Sequence, residues 1–356
     1  MEENKEEVVE EVSTNENFND NLHGENLTER AKVLSPGMTV AKRFFRSKLS
    51  MIGLVTLIVL FLFSFIGPLF SPWSADEGRV RDTNEELIKS LYTPFEITYE
   101  VDGVEYKAFD ITLDQQEYVI YGDINSSHWM GTDKEGYDVF TRLMYGGRVS
   151  LTLGFVVIIL QTLIGVILGG LAGYFGKWVD QLIMRIVDIL SCIPTLPIML
   201  ILSVVFQEIQ DISKLYYIMG ILCLIGWVGT ARLVRGQILT LREQEFMLAA
   251  KCSGLSTGKK IFKHLIPNII PQLIVTMTLG LGSVILMEAT LGYLGLGAPL
   301  TTATWGNMIN LASDAINRQY YPNLWLGAGV CITLAILAFN FVGDGLRDAF
   351  DPKMKR

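Results

Sequence analysis

The sequence predicts an all-α integral membrane protein with six transmembrane helices and one small extracellular β-containing insertion. Three observations carry this expectation: uncharged runs long enough to cross a bilayer, basic residues gathered on alternate connections, and an acidic segment with strand-like alternation after the first run. A bilayer core is crossed by about 20 consecutive apolar residues in a helix. The runs Met51–Phe70, Val149–Phe175, Leu215–Ala231, Ile269–Met287 and Leu324–Val342 hold no charge, and Ile186–Phe206 holds only Asp188. A soluble chain of 356 residues, half of them hydrophobic, has no reason to gather its apolar residues this way.

Taken in order, residues 1–37 are rich in Glu, Asn and Asp and read as a disordered acidic cytoplasmic tail. They lack the basic start and immediate apolar stretch of a signal peptide. Residues 38–70 form a basic amphipathic arm, with Lys42, Arg43, Arg46 and Lys48, followed by the first span. Basic residues accumulate on the cytoplasmic side of membrane helices, so the N-terminus is expected inside. Six spans return residues 353–356, with Lys353, Lys355 and Arg356, to the same side. Lys177 and Arg185, and the group Arg232, Arg235, Arg242, Lys251, Lys259, Lys260 and Lys263, fall on inner connections in this arrangement. The expectation is a multi-pass cell-membrane protein with both termini cytoplasmic.

Residues 71–127 are acidic and placed outside. Within them "FEITYEVDGVEYKAFD" (95–110) alternates apolar and polar residues around Asp102-Gly103, a hairpin signal, and "EYVIYGD" suggests a third strand. The segment is either passive or a docking element. Residues 128–352 then form a five-helix core. In its first helix Gly165, Gly169 and Gly173 recur every four residues, which lets another helix approach closely; packing within the chain is favoured over packing with a partner.

The third span reads "DILSCIPTLPIML". Pro194 and Pro197 remove backbone donors, a break tolerated where freed carbonyls face protein or a wet cavity. Asp188 near its inner end and Glu288 at the outer end of span five are intramembrane ionisable residues, hence functional candidates by default. These four residues are the candidates for a translocation path. Asp188 and Glu288 equally fit a place at the interface.

Between spans four and five lies "EFMLAAKCSGLSTGKKIFKHLIPN" (245–268). Its "GLSTGKK" falls short of the nucleotide loop G-x-x-x-x-G-K-S/T: Ser253 takes the first glycine position and Lys260 the hydroxyl position. Instead the segment 240–267 reads as two short helices. Thr240 and Glu243 fit a capping box, Phe246, Ala249, Ala250 and Ser253 share one mostly small face, and Gly254 suits a helix end. A second helix, Lys259–Ile266, carries Ile261, Phe262 and Leu265 on an apolar stripe until Pro267 stops it. The residues support equally a helix pair lying on the inner leaflet and one docking a partner. Cys192, Cys223, Cys252 and Cys331 are scattered and read as small buried hydrophobes, without disulfide or metal spacing. His23, His128 and His264 are too far apart for a metal cluster, and no triad, HExxH or paired-carboxylate signature appears, so this chain is not expected to be an enzyme.

"LAAKCSGLSTGKKIFKHLIPN" resembles the EAA---G---------I-LP coupling motif of ABC-importer permeases, with Ala249, Ala250, Gly254 and Pro267 on its fixed positions. "HWMGTDKEGYDVFTRLMYGGRVSL" (128–151) resembles the GTD-x-x-GRD-V-x-R-x-x-YG-x-R-x-S-L segment of the oligopeptide/dipeptide/nickel subgroup. "LGYLGLGAPLTTATWGNMI" and "FNFVGDGLRDAFDPK" resemble its remaining signatures. Leu248 stands in the motif's glutamate position, His264 and Ile266 replace its Ile and Leu, and Tyr137 replaces the arginine of GRD.

The resemblance implies a type I ABC-importer permease fold in a bacterial cell membrane, and import of oligopeptides or dipeptides. Same-family nickel or glutathione import is the alternative. From another class, an ion-coupled secondary transporter would use Asp188 or Glu288 and show repeat symmetry, which is not seen. Implied partners are a homologous permease subunit, two cytoplasmic ATPase subunits and a lipid-anchored or periplasmic peptide-binding protein, alongside the lipid bilayer and with no nucleic acid. ATP and Mg would be held by the ATPases, with no cofactor on this chain. Glu245, Phe246, Leu248, Ala249, Ala250, Lys251, Gly254, Ile261, Phe262 and Pro267 would form the ATPase-docking surface.

Overall fold

The computed structural model describes residues 36–71, 97–101, 104–108, 128–133, 137–207, 214–299 and 302–351. Residues 1–35 of the expected acidic tail, the third strand and the C-terminal residues 353–356 lie outside the described residues, while Pro36 and Gly37, expected in the tail, open a helix. Helix α1 (Pro36–Arg46) ends at Ser47, whose side chain caps α2 (Lys48–Phe61) by accepting from the Ser50 N–H. The α2 helix continues through a π-turn at Leu62–Ile66 and a 3₁₀ turn at Gly67–Leu69. Strands β1 (Ile97–Val101) and β2 (Val104–Ala108) pair antiparallel, with Val101 opposite Val104. The pairing agrees with the hairpin expected around Asp102-Gly103.

The remaining helices are α3 (Val139–Phe175), α4 (Lys177–Cys192), α5 (Thr195–Gln207), α6 (Lys214–Arg242), α7 (Glu245–Cys252), α8 (Ile266–Tyr293), α9 (Trp305–Asn310), α10 (Ala315–Tyr320) and α11 (Leu326–Phe350). Among the described residues five helical bodies are long and apolar enough to cross a membrane: Lys48–Leu69, Val139–Phe175, Leu215–Arg242, Thr257–Tyr293 and Leu326–Phe350. The third expected span is instead the pair α4 and α5, bent by 89°. Pro194 explains the break. A residue before proline is pushed out of the helical region, and Ile193 is extended at φ −84°, ψ 126°. Pro197 falls in the first turn of α5, where no amide donor is needed.

The packing of α3 on α6 is set by glycine. A Cβ on Gly165 would meet Thr230 Cβ at 2.6 Å, one on Gly169 would meet the Ala231 Cα at 3.0 Å, and one on Gly173 the Arg235 carbonyl at 2.9 Å. Without a hydrophobic drive between helices in lipid, such close approach supplies dispersion contacts that larger side chains would prevent. Gln161 adds a buried hydrogen bond from its amide to the Leu222 carbonyl, 2.8 Å. The in-chain reading of these glycines is therefore the one realised. On the other flank Gly343 lies against Leu279 of α8, and Gly345 against Phe44 and Ser50. The main core joins α2, α3, α6, α8 and α11, while Leu163, Ile167, Leu286 and Leu337 face outward, as a lipid-solvated surface requires.

All four cysteines are free. Cys223 and Cys331 are buried as expected, but Cys192 and Cys252, each at a helix end, are exposed among the described residues.

The seam yields a contrast between adjacent glycines. Gly169→Leu should lower thermal stability in detergent by the cost of overpacking, about 1–3 kcal/mol, and reduce the folded fraction by size exclusion. Gly170→Ala, whose Cβ would meet only Ile238 Cδ1 at 3.7 Å, should leave both unchanged.

Candidate functional site

The α6–α7 connection differs from its expected form. The α6 helix runs on to Arg242 because Val234, Ile238 and Leu241 keep packing inward, so Thr240 lies inside it and donates to the Gly236 carbonyl at 3.2 Å. Thr240 therefore does not cap. Gln244 opens α7 with an extended backbone, and its carbonyl accepts from the Met247 and Leu248 amides at 3.0 and 3.2 Å.

The expected docking face is also redistributed. Met247, fully buried, packs with Val234, Ile238, Leu265 and Ile269, and Ala250 turns inward beside it. The larger apolar residue gains more from burial, so Met247 selects the inward face and withdraws Ala250 from any partner. Glu245, Phe246, Leu248, Ala249 and Lys251 are exposed. Leu248 is 61% exposed and Phe262, which leaves the expected stripe with Ile261, is 73% exposed.

Gly254 behaves as expected. At φ +67° it closes α7 with a paired turn, the Leu255 amide donating to Ala250 and the Gly254 amide to Lys251 at 3.3 and 3.1 Å. Helix resumes at Thr257 and does not stop at Pro267. A π-turn, Lys260–Leu265, leads directly into α8, and the Ile266 amide reaches the Ile261 carbonyl. The wider turn accommodates the ring of Pro267, which would clash with the carbonyl four residues before it in a regular helix. The second short helix is thus the first part of span five, continuous from Thr257 to Tyr293.

An open cleft of about 570 Å³ flanks α7, lined by Tyr174, Arg242, Glu243, Gln244, Leu248 and Lys251. Tyr174 is missing from the sequence reading because it comes from the end of α3, and Arg242 entered it only as one of the inner basic residues. Arg242 donates to the last carbonyls of α3, Gly173 and Tyr174, both at 3.2 Å, where cations are favoured. Arg235 grips Asp180 of α4 through two bonds of 2.5 and 2.6 Å, and Arg232 reaches Asp188 at 3.1 Å and Ser191 at 3.0 Å. The bent pair is thereby tied to α6.

Of the candidate path residues, Asp188, Pro194 and Pro197 are exposed on α4 and at the bend. Glu288 is not. It is 1% exposed, accepts from the Ser150 hydroxyl at 3.0 Å and lies against Gly306, so it faces no open lumen of this chain. Ser150 also accepts from the Trp305 amide at 3.2 Å, and the Trp305 indole donates to the Leu143 carbonyl at 3.0 Å. The junction unites "YGGRVSL", "MEAT" and "TWGNM". At the start of α3, Asp138 caps the Thr141 amide at 2.7 Å and holds His128 at 2.9 Å, while Asp133 binds Arg142 at 2.5 Å. Arg142 lies over the Tyr137 ring at 5.1 Å, so the tyrosine in place of arginine supplies a cation–π contact.

The family described as "Binding-protein-dependent transport system inner membrane component" matches residues 165–356, and "N-terminal TM domain of oligopeptide transport permease C" matches residues 35–89. The chain belongs to the binding-protein-dependent transport permeases. It is 35% identical to the oligopeptide transport system permease protein OppC of Bacillus subtilis (strain 168), over 91% of this chain and 92% of that one. It is also 35% identical to the dipeptide transport system permease protein DppC of the same organism, over 94% and 92%. A solved structure of the MetNI methionine ABC transporter shares 21% identity at a TM-score of 0.46, covering 59% of this chain and 96% of that one. The permease's fold is the type I importer fold implied by the motifs.

The buried junction gives a sharp expectation. Ser150→Ala leaves both the Trp305 amide and a Glu288 oxygen short of a partner and should cost about 1–3 kcal/mol of thermal stability. Thr152→Ala, which removes only an exposed bond to Arg148, should cost little in the same melt.

Proposed function

We propose that this permease forms half of the translocation path of an ABC importer for oligopeptides or dipeptides. The OppC and DppC relatives, similar over nearly the whole chain, support the peptide reading. In this reading a homologous permease completes the path, a lipid-anchored or periplasmic peptide-binding protein delivers substrate, and two cytoplasmic ATPases hold ATP and Mg. The N- and C-termini face the cytoplasm, as the basic arm suggests. Residues 71–127 are assigned to the outer side, opposite the basic connections. Family membership sets aside the ion-coupled secondary transporter.

The observation that carries the mechanism is the mounting of α7. One face is anchored by Met247 to α6 and α8, and the other exposes Glu245, Phe246, Leu248, Ala249 and Lys251, with Phe262 nearby. A short helix fixed to two spans at once moves with them as a body, which is what transmitting an ATPase closure to a path requires. Leu248 and Phe262 make that contact apolar where the motif has an acid, with Gly254 closing α7 at one end. Ala250 and Ile261 support the platform from within. Asp188, Pro194 and Pro197 lie on the path side, on the bent pair that Arg232 and Arg235 lock to α6; Glu288 acts as a structural support.

Uptake of labelled di-, tri- and longer peptides against Ni²⁺ by the reconstituted complex tests the substrate, and transport of Ni²⁺ alone would overturn the peptide reading. Gly254→Val forces a branched side chain into the left-handed region, at a cost of about 1–2 kcal/mol. It should uncouple uptake from ATP hydrolysis with membrane insertion intact, while Gly258→Ala, which meets nothing within 4 Å, should transport normally. Leu248→Arg should weaken ATPase docking, measured by co-purification, at least tenfold.

A further inference from the structure

The joint between α1 and α2 presents a second surface, separate from α7. Lys42, Arg46 and Lys48 are exposed there, interleaved with the exposed apolar side chains Phe45, Leu49 and Ile52. No ion pair among the described residues involves these three cations. Leu49 and Ile52 begin the outward face that Val55, Val59 and Leu62 continue along the first span, so this surface runs on from the lipid-facing side of that span.

The joint is also held in place. Phe44 is buried against Gly345, where an added Cβ would come within 3.2 Å of its ring, and Arg43 donates to the Asp351 carbonyl at 3.0 Å. The cations are therefore displayed from a fixed helix, which lowers the ordering cost of binding.

We propose that this joint is a docking surface for anionic phospholipid headgroups. Phe45, Leu49 and Ile52 enter the acyl boundary, and Lys42, Arg46 and Lys48 meet the phosphates, the arrangement expected of a basic amphipathic helix at a bilayer surface. Cations near an anionic surface contribute additively, so three of them support a selectivity on the order of 100-fold. The inference is independent of the transported substrate.

The test is native mass spectrometry of the full-length chain with mixed phosphatidylglycerol and phosphatidylcholine. The expected result is preferential retention of phosphatidylglycerol, lost on the order of 100-fold in the Lys42→Gln, Arg46→Gln, Lys48→Gln triple variant. The matched triple Lys259→Gln, Lys260→Gln, Lys263→Gln should retain the preference. Equal loss in both triples would overturn the site, since the attraction would then be general basic charge. So would selectivity that emerges only when residues 2–30 are deleted, because the acidic tail would then be the occupant. A purified acidic partner protein that binds the joint in place of lipid, and is lost in the first triple, would likewise refute it.

Discussion

Backbone-to-backbone approach of α3 and α6 is the contact on which the rest of this permease depends. In a bilayer, lipid tails are as apolar as leucine, so helices gain little by hiding leucine from them. What they gain is close contact, and Gly165, Gly169 and Gly173 permit it against Thr230, Ala231 and Arg235. With the two helices this close, Arg242 can reach across to the last carbonyls of α3. Arg235 and Arg232 then hold α4, and the end of α6 carries α7. Seam, bent pair and α7 are linked through one helix.

A second constraint acts at the opposite end of α3. Ser150 stands between the Glu288 carboxylate and the Trp305 amide, joining α3, α8 and α9 in a buried polar junction. Such groups are costly without partners in a low-dielectric interior and correspondingly specific when satisfied. Gly292 and Gly306 meet almost Cα to Cα beside them, with 2.8 Å between the Gly306 Cα and a Cβ placed on Gly292. Two of the resemblance motifs, 128–151 and 291–309, distant along the chain, are thus parts of one packing unit.

Helix α7 illustrates where sequence periodicity reaches its limit. Phe246, Ala249, Ala250 and Ser253 do share a helical face by spacing, but spacing does not say which face is covered. Met247 decides that, because it finds Leu265 and Ile269 from a span beginning some distance along the chain. Pro267 likewise reads as a stop, yet a π-turn absorbs its ring and lets helix continue. The corrections share a cause. A local rule is overruled when a neighbouring element supplies burial or a relaxed backbone geometry.

By itself the sequence determined the membrane class, the positions of five of the six expected spans, the break at Pro194, the turn at Gly254 and, through four ordered motifs, the family. These properties rest on local chemistry: run length against bilayer thickness, a missing amide, and a glycine free to take positive φ. Tertiary structure alone decided that Glu288 is buried beneath Ser150, that Ala250 faces inward, and that Arg232 and Arg235 bind α4. Each of these depends on which helix lies opposite, and that is settled by how closely two backbones can approach.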